Sequence, residues 1–444
     1  MTDLPRKAAA RTARLAALPL GYAGRQAVGF GRRLGGAPAD AVLIEVQQRT
    51  AEQLFRTLGE LKGGAMKFGQ ALSVLEAALP DELVAPYRDH LTALQDSAPP
   101  MPTQTVREQL ARSLGDDWRE RITWLDGAPS AAASIGQVHR ARWFDGRDVA
   151  IKVQYPGAGD ALMSDLRQIA RVARGLAPVF PGIDIKPLIE EIQARAADEL
   201  DYRLEAEAQS AYAEAFAGDP DVVVPGVVTV GEQVLVTEWL ESPHSFAHLI
   251  RHGTQAERDH YGRVFVTFLF DGPNRTGMLH ADPHPGNFRV LPGEGGAPGR
   301  VGVLDFGAVA RLPGGGLPSA MGRLIRLALD NGAEELAEGL RAEGFIKERI
   351  RIEPEQVLDY LAPFLEPARD ETFTFTREWM RGQFERINNP RSPSFTVATK
   401  LNLPSSYMLI HRTWLGGLGV LSQLECEAPF RSIMEQHLPG FATG

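Results

Sequence analysis

The sequence is most informative at His280-Ala281-Asp282-Pro283-His284-Pro285-Gly286-Asn287. Asp282 is followed five residues later by Asn287, in a segment whose prolines and glycine favour a loop. In this arrangement a carboxylate can accept or orient the proton of an attacking hydroxyl, while the amide oxygen binds a metal ion on nearby phosphates. The H-x-D-x-x-x-x-N spacing therefore predicts a phosphoryl-transfer loop rather than an incidental polar turn.

A second carboxylate follows downstream, in Val301-Gly302-Val303-Leu304-Asp305-Phe306-Gly307. The apolar run predicts a short strand that brings Asp305 to the end of a sheet, where it would bind Mg²⁺ that bridges phosphates. An Asp-Phe-Gly tripeptide is common by chance. Its place behind a strand and 23 residues after Asp282 makes it specific.

The third part of the pattern lies upstream, in Val149-Ala150-Ile151-Lys152-Val153. A lysine in an apolar strand is costly unless its ammonium group has a partner, and the segment matches the lysine that holds nucleotide phosphates in protein kinases. Alone, such a lysine more often points to solvent. The lysine strand, the loop and the metal-binding aspartate in this order predict an ATP-binding fold of the protein-kinase type.

Two more elements of such a site can be sought in the sequence. A helical carboxylate should hold Lys152, and candidates lie in Glu199-Leu200-Asp201-Tyr202-Arg203-Leu204-Glu205, although helical spacing alone leaves the choice open. Residues 234–240 read as a strand that runs into a connector between lobes. There the main chain of Glu238 and Leu240 could hydrogen-bond the edge of an adenine, but any buried strand would show this pattern.

Three segments resemble the UbiB-type atypical kinase family, the AarF-related group linked to ubiquinone and isoprenoid-lipid metabolism. Lys67-Phe68-Gly69-Gln70 is similar to the K-x-G-Q motif of that family, and Glu199-Leu200-Asp201 is similar to its E-x-D motif. The third segment, residues 131–139, resembles the alanine-rich nucleotide loop of the family and reads Ala131-Ala132-Ala133-Ser134-Ile135-Gly136-Gln137-Val138-His139. The segments occur in the order of the family, and the resemblance covers roughly residues 40–425.

The resemblance implies roles for particular residues. Glu205 would pair with Lys152, and Lys67 and Gln70, on one face of a helix, would cover the active site. Without the resemblance, Lys67 would be interpreted as a solvated lysine. The implied nucleotide-binding residues are Ala131, Ala132, Ala133, Ser134, Val138, Lys152, Glu205, Glu238 and Leu240, and the implied regulatory residues are Lys67, Gln70, Glu199 and Asp201. Alanines in place of glycines add a Cβ at each position, which should stiffen the turn and change nucleotide geometry.

We predict an α+β, two-lobed protein-kinase-like fold with a small N-lobe sheet, a large helical C-lobe and an N-terminal helical extension. The predicted divisions are a basic arm at 1–40, the extension at 41–120, an N-lobe with a helical insert at 121–240 and a C-lobe at 241–444. The pattern predicts a helix at about 104–114, a hairpin over 138–153, helices across 158–217, strands at 288–291 and 301–304, and loops over 271–300.

Composition limits the classes of protein that fit. Hydrophobic residues make up 44% and charged residues 23%, which is ordinary for a soluble globular protein, and the single cysteine, Cys426, excludes an internal disulfide. Residues 1–36 hold seven basic residues and one acidic residue, whereas the whole chain carries a formal charge of -9. The acidic balance argues against general nucleic-acid binding.

The same features bear on the expected location. No segment has the roughly 20 apolar residues of a membrane span. We therefore expect a cytoplasmic protein with peripheral membrane contact through the basic arm. The alternative interpretation of the arm is a solvated tail.

We expect an atypical kinase or ATPase that uses ATP or ADP with Mg²⁺ or Mn²⁺. Asp282, Lys152 and Asn287 would be catalytic, and Asn287 and Asp305 would bind the metal. The resemblance implies a lipid or quinone-precursor ligand. His284 stands where protein kinases often carry a cation, and a histidine of ordinary pKa is mostly neutral at pH 7, so charge stabilisation would depend on Lys152 and metal.

Two alternatives remain open. One is a small-molecule phosphotransferase of the aminoglycoside or choline kinase type, which shares a closely similar H-x-D-x-H-P-x-N loop. The other is a nucleotide-sensing scaffold with little turnover. No A-P-E segment follows Asp305 at a plausible distance, so the peptide-binding platform of protein kinases is expected to be missing or rebuilt.

Overall fold

The computed structural model describes residues 100–133, 135–160, 162–164, 196–293, 299–389, 392–398 and 400–442, with a few isolated positions between 164 and 196. Several predictions fall on other residues. The basic arm, most of the helical extension, the K-x-G-Q residues Lys67 and Gln70, and Ser134 lie outside the described residues. What the sequence predicts for them stays a prediction.

The described strands form two larger sheets and two ribbons. In chain order they are β1 (Ile122–Leu125), β2 (Ala131–Ala133), β3 (Gly136–Trp143), β4 (Asp148–Gln154), β5 (Val222–Val223), β6 (Val227–Val230), β7 (Val234–Glu238), β8 (His244–Ser245), β9 (Met278–His280), β10 (Phe288–Leu291), β11 (Arg300–Val303), β12 (Val309–Arg311), β13 (Phe373–Thr374) and β14 (Glu427–Ala428). The first sheet is antiparallel with the order β1-β3-β4-β7-β6, and β2 also pairs with β3. The second has the order β5-β11-β10-β8, and the ribbons are β12-β9 and β13-β14.

Most of the described chain after β8 is helical. The described helices are α1 (Thr103–Leu114), α2 (Trp118–Arg121), α3 (Tyr202–Ala215), α4 (Phe246–His252), α5 (Gln255–Thr276), α6 (Ser319–Leu329), α7 (Ala333–Ala342), α8 (Pro354–Leu361), α9 (Arg377–Asn388), α10 (Pro393–Ala398), α11 (Ser405–Leu424) and α12 (Phe430–His437). Short 3₁₀ turns cover Pro285–Asn287 and Ala362–Ala368. Within the described part, none of these helices combines the length and apolar character needed to cross a bilayer.

The predicted hairpin is confirmed as the β3–β4 pair. Its turn uses Gly146, whose φ of +92° lies in the left-handed region where a glycine has no steric penalty. The side chain of Asp145 accepts a hydrogen bond from the Arg147 N–H at 3.0 Å, and the Trp143 N–H donates to the Arg147 carbonyl at 2.8 Å. These local bonds fix the register of the two strands.

Alternation along β4 places its lysine on the site face of the sheet. Val149, Ile151 and Val153 are fully buried and form one core cluster with apolar residues of α1, at Val106, Leu110 and Leu114. Because side chains alternate between the faces of a strand, Lys152 projects from the opposite face. The helix predicted at about 104–114 is thus confirmed, and it covers the back of the sheet.

Helix α5 runs through the core of the C-terminal half. A capping box of Thr254 and Glu257 begins it, and Gly277, with φ +69°, ends it by donating its N–H to the Pro273 carbonyl. The prediction of a loop from residue 271 was wrong, because the helix continues through Gly272 and Pro273. A Cβ on Gly272 would lie 3.1 Å from the Tyr212 ring, so this glycine permits close packing and does not break the helix.

The second sheet and the β9–β12 ribbon present two loops side by side. The loop at 281–287 connects β9 to β10, and the loop at 304–308 connects β11 to β12. Strand β10 has the predicted bounds, and β11 begins one residue earlier than predicted. The antiparallel β10–β11 pairing, Phe288 opposite Val303, brings the two loops to the same end of the sheet.

Candidate active site

Strand β4 and helix α3 hold a buried ion pair. The Lys152 Nζ lies 2.7 Å from Glu205 Oε1, and the two side chains are 14% and 3% exposed. Gln154, two residues after the lysine, donates to the Leu200 carbonyl at 2.7 Å, which ties the strand to the turn before α3. The structure thus places the lysine and its predicted glutamate in contact.

Asp201 of the predicted E-x-D motif begins helix α3. Its side chain accepts a hydrogen bond from the Arg203 N–H at 3.0 Å, as an N-cap residue does. The cap fixes the first turn of the helix that carries Glu205. Glu199 lies in the preceding turn and is partly buried.

Asp305 approaches the same lysine from the other side. Its Oδ1 lies 3.1 Å from Lys152 Nζ and accepts the Gly307 N–H at 3.1 Å. Asp305 has φ +58°, a left-handed conformation that is uncommon for a residue other than glycine. A Cβ on Gly307 would lie 3.1 Å from Asp305 Oδ1 and 3.3 Å from Glu205 Oε2, so the glycine leaves room for both carboxylates.

The two carboxylates keep Lys152 charged. Burial by itself would lower the pKa of this ammonium group, but the charges of Asp305 and Glu205 outweigh burial and raise the pKa well above its ordinary value. The Tyr202 ring lies 5.4 Å from Nζ, within cation–π range. Lys152 is therefore a permanent cation at the head of the site.

The predicted loop residues form a second cluster. Asn287 Nδ2 donates to the Asp282 carbonyl at 3.1 Å and to Asp282 Oδ2 at 3.0 Å. With its nitrogen committed to Asp282, the amide oxygen of Asn287 is the atom that could bind a metal. The Asn287 carbonyl accepts the Leu304 N–H at 2.8 Å, which holds this asparagine next to the segment that carries Asp305.

His280 joins the two loops. Its Nε2 lies 3.0 Å from the Asp305 carbonyl, which can only accept, so Nε2 carries the proton. Burial lowers the pKa of this imidazole, which favours the neutral form. Phe306 is buried between two rings, with centroids 5.3 Å from His280 and 5.0 Å from Tyr212. These contacts explain how Asp305 is held in its left-handed conformation.

Arg412 is a site residue that sequence reasoning missed. Its Nη2 donates to Asp282 Oδ1 at 3.2 Å from helix α11, 130 residues downstream. No local motif marks it, because only the packing of α11 brings it to the loop. His284, which the sequence singled out, accepts the Gly286 N–H through Nδ1 at 3.1 Å, and burial lowers its pKa.

The alanine-rich segment forms a strand where a loop was expected. In β2, Ala131, Ala132 and Ala133 pair with Val138, Gln137 and Gly136 of β3, respectively. Backbone pairing with β3 explains the difference, because the three alanines continue the hairpin into the first sheet. Val138 is directly opposite Lys152 in the β3–β4 pairing and is therefore on the site face.

The connector after β7 borders the site. The Glu238 N–H donates to the Gly226 carbonyl at 2.9 Å, so this N–H is not available to an adenine and the predicted contact would have to use the carbonyl. Leu240 packs on β11, because a Cβ on Gly302 would lie 2.2 Å from Leu240 Cδ2. The connector thus contacts the strand that leads to Asp305.

The site fits a divalent cation. Asp305 and Asn287 offer carboxylate and amide oxygens, the ligands that Mg²⁺ prefers, and the Leu304–Asn287 hydrogen bond keeps the segments that carry them adjacent. An antiparallel sheet with a lysine–glutamate pair, followed by a helical region with two polar loops, defines a protein-kinase-like fold. The predicted fold class is confirmed.

The chain belongs to the ABC1 atypical kinase-like family. The family model described as the ABC1 atypical kinase-like domain matches residues 93–326, more than half of the chain. A similar protein in Caenorhabditis elegans, named atypical kinase coq-8, mitochondrial, is 31% identical over 72% of this chain and 42% of its own length. The Arabidopsis thaliana protein named ACTIVITY OF BC1 COMPLEX KINASE 1, chloroplastic, is 27% identical over 88% of this chain and 55% of its own length.

A solved structure from Mycobacterium tuberculosis, described as the complex of Rv3197 with erythromycin, is also similar. It is 40% identical, has a TM-score of 0.68, and the match covers 92% of this chain and all of that one. By contrast, the chain spans about half the length of the first curated relatives that it matches. The suspected relationship to the UbiB-type family is confirmed by these matches.

Proposed function

We propose that this protein binds a nucleoside triphosphate with Mg²⁺ and transfers or hydrolyses its γ-phosphate, as an atypical kinase or ATPase. The observation that carries the proposal is the Lys152 ammonium group between Glu205 at 2.7 Å and Asp305 at 3.1 Å. His280 connects the Asp305 carbonyl to the loop of Asp282 and Asn287. An amine for phosphates and oxygens for a cation thus share one site.

Each residue has a defined task in this proposal. Lys152 binds phosphate oxygens, and Glu205 holds its ammonium group in place. Asp305 and Asn287 would hold Mg²⁺, which supplies charge neutralisation on the phosphates when it is bound. Asp282 orients the acceptor hydroxyl and takes its proton, while Asn287 keeps the Asp282 carboxylate in position.

The reaction balances with a hydroxyl as acceptor. The acceptor oxygen forms a bond to the γ-phosphorus as the bond from that phosphorus to the bridging oxygen breaks. ADP leaves with the electron pair of the broken bond, and the proton passes to Asp282 and then to solvent. With water as acceptor the products are ADP, inorganic phosphate and one proton.

Relatives suggest two kinds of acceptor or ligand. We propose that the first kind is a lipid or quinone precursor, since the UbiB-type family, to which relatives named atypical kinase coq-8 and COQ8 are similar, is linked to ubiquinone and isoprenoid-lipid metabolism. Peripheral membrane contact through the basic arm would bring the site to such ligands. The second kind is a macrolide, because the Mycobacterium tuberculosis relative was solved with erythromycin. That candidate agrees with a small-molecule phosphotransferase.

Nucleotide binding and turnover test the proposal in one set of samples. We expect Mg-ATP and Mg-ADP to raise the melting temperature of the wild type, because a ligand of the native state stabilises it. Phosphate release is then measured alone, with anionic liposomes plus a phenolic head-group analogue, and with erythromycin, while mass spectrometry detects a phosphorylated acceptor. Asp282→Asn should bind nucleotide and lose turnover by about 10²-fold or more.

Arg142→Gln is the control, since Arg142 contacts Asp148 outside the site. It should behave as the wild type does. If neither nucleotide shifts the melting temperature of the wild type, the proposal is wrong. If nucleotide binds but wild type and Asp282→Asn release phosphate equally slowly, the protein is a nucleotide-sensing scaffold.

A further inference from the structure

The catalytic loop carries no permanent cation of its own. Residues 280–287 contain neither lysine nor arginine. His284 occupies the position two residues after Asp282, but its Nδ1 accepts the Gly286 N–H and therefore carries no proton. A neutral imidazole with one nitrogen already used as an acceptor offers little charge to a phosphate.

Lys152 does not fill this gap. Glu205 and Asp305 hold its ammonium group on the strand side of the site, so it reaches phosphate oxygens from that side. Phosphoryl transfer spreads negative charge over the γ-phosphate and its neighbours, and enzymes stabilise it with fixed donors aimed at that position. The acceptor side of the phosphate, where Asp282 lies, would be without a cation if the loop acted alone.

Helix α11 provides a cation at that place. Arg412 Nη2 lies 3.2 Å from Asp282 Oδ1, while Asp282 Oδ2 accepts from Asn287. A guanidinium group has five N–H donors in a planar fork, and its geometry suits phosphate oxygens. One donor on Asp282 therefore leaves others for a neighbouring phosphate, and the Arg412 side chain is 52% exposed, so a ligand can reach it.

The helix that carries Arg412 is anchored on the core. Trp414 packs against Phe270 of α5 with ring centroids 4.0 Å apart, and a Cβ on Gly417 would lie 2.8 Å from Leu269 Cδ1. Ile410, two residues before the arginine, and Thr413, directly after it, are buried. Since the backbone of α11 is fixed on α5, only the side chain of Arg412 has freedom to move between Asp282 and a ligand.

We propose that Arg412 is a catalytic residue that binds the γ-phosphate beside Asp282 and replaces the cation that the loop lacks. The inference rests on the proposed nucleotide function and deepens it. Two consequences follow. Arg412 should distinguish a triphosphate from a diphosphate, because ADP has no γ-phosphate. It should also act in turnover, because in the transition state the charge of the transferred group is spread over its three equatorial oxygens, next to the acceptor oxygen and Asp282.

The test measures both consequences in Arg412→Gln, Arg412→Lys and the double variant Arg412→Gln/His284→Lys. Calorimetry gives the affinity for Mg-ADP and for a non-hydrolysable Mg-ATP analogue, and phosphate release gives kcat. We expect Arg412→Gln to lower the affinity for the analogue about tenfold, to leave the affinity for ADP unchanged, and to lower kcat by about 10²-fold. Arg412→Lys should lose less, and His284→Lys should restore part of the loss by placing a cation on the loop.

The matched control is Arg142→Gln. Arg142 Nε lies 3.2 Å from Asp148 Oδ1, and its side chain is 56% exposed, so its ion pair closely matches that of Arg412 in length and exposure. It should leave affinities and kcat unchanged. The inference is overturned if Arg412→Gln keeps the wild-type ratio of analogue to ADP affinity, or if its kcat stays the same or rises, since a rise would indicate an inhibitory latch. A wild type that binds neither nucleotide would instead refute the proposed function.

Discussion

The two halves of the site hold their charges in different surroundings. On the strand side, the Lys152–Glu205 pair is 14% and 3% exposed, in contact with Asp305 and the Tyr202 ring. On the loop side, the Arg412–Asp282 pair is 52% and 23% exposed. Buried charges depend on each other because neither is solvated, whereas exposed charges can exchange partners with solvent or ligand. The strand side is thus a fixed anchor and the loop side an adjustable one.

The largest expected effect comes from breaking the buried pair. Lys152→Met leaves Glu205 buried without its cation, so we expect the free energy of unfolding to fall by about 3–5 kcal/mol. Arg412→Gln should change it by less than about 1 kcal/mol, because exposed ion pairs contribute little. Urea denaturation followed by circular dichroism measures both.

A double variant separates the lost charge from lost packing. Lys152→Met/Glu205→Leu replaces both charges with apolar groups, which is often close to neutral, so most of the lost stability should return. The contrast between the two halves is wrong if Lys152→Met is as stable as the wild type. It is also wrong if Lys152→Met and Arg412→Gln lower the free energy of unfolding equally.

Acid should act on the loop side before the strand side. Burial lowers the pKa of His280 and His284, so between about pH 6.5 and their lowered native pKa values the unfolded chain binds more protons than the native one. Stability is therefore full above about pH 6.5 and is lost as pH falls, by up to about 1.4 kcal/mol per pH unit for each histidine. Lys152, with its raised pKa, stays charged throughout and adds no slope there.

Denaturation curves at a series of pH values from 7.5 to 5 measure this slope. His280→Gln keeps a donor for the Asp305 carbonyl but has no titrating ring, so it should flatten the slope, and His284→Gln should flatten it separately. A slope that is the same in the wild type and in both variants would contradict the assignment of the acid response to the loop side.

The sequence could predict the parts of the site that depend on local motifs. Asp282, Asn287 and Asp305 lie in local motifs whose spacing follows from their chemistry, so the sequence placed them in one site. Glu205 was one of several acidic residues on a helix, and only the family resemblance selected it. Asp201 was predicted as part of a regulatory motif. Its hydrogen bond to the first turn of α3, which caps the helix, was not predicted.

What depends on tertiary packing could not be predicted. Arg412 reaches Asp282 only because α11 packs on α5, and nothing near it in the sequence marks that approach. A loop was predicted from residue 271, yet α5 continues through Gly272 and Pro273, where Gly272 packs against Tyr212. The alanines of β2 have low strand propensity, and their pairing with β3 overrides it.

The smallest expected effect concerns two buried tyrosines that differ only in the partner of the hydroxyl. Both rings are fully buried. The Tyr212 hydroxyl donates to the Met278 carbonyl at 2.7 Å, whereas that of Tyr202 has no hydrogen-bond partner within the described residues. Tyr212→Phe should therefore cost about 1–2 kcal/mol, while Tyr202→Phe should be neutral or stabilising by up to about 1 kcal/mol.

The same denaturation assay compares the two variants, and nucleotide binding sharpens the result. Tyr202→Phe keeps the ring beside the Lys152 ammonium group, so the cation–π contact and the affinity for nucleotide should persist. Equal losses of stability in the two variants would mean that the Tyr202 hydroxyl has a partner after all. If Tyr202→Phe loses nucleotide affinity but keeps its stability, the Tyr202 hydroxyl contacts the nucleotide. The strand side would then be less fixed than the buried ion pair indicates.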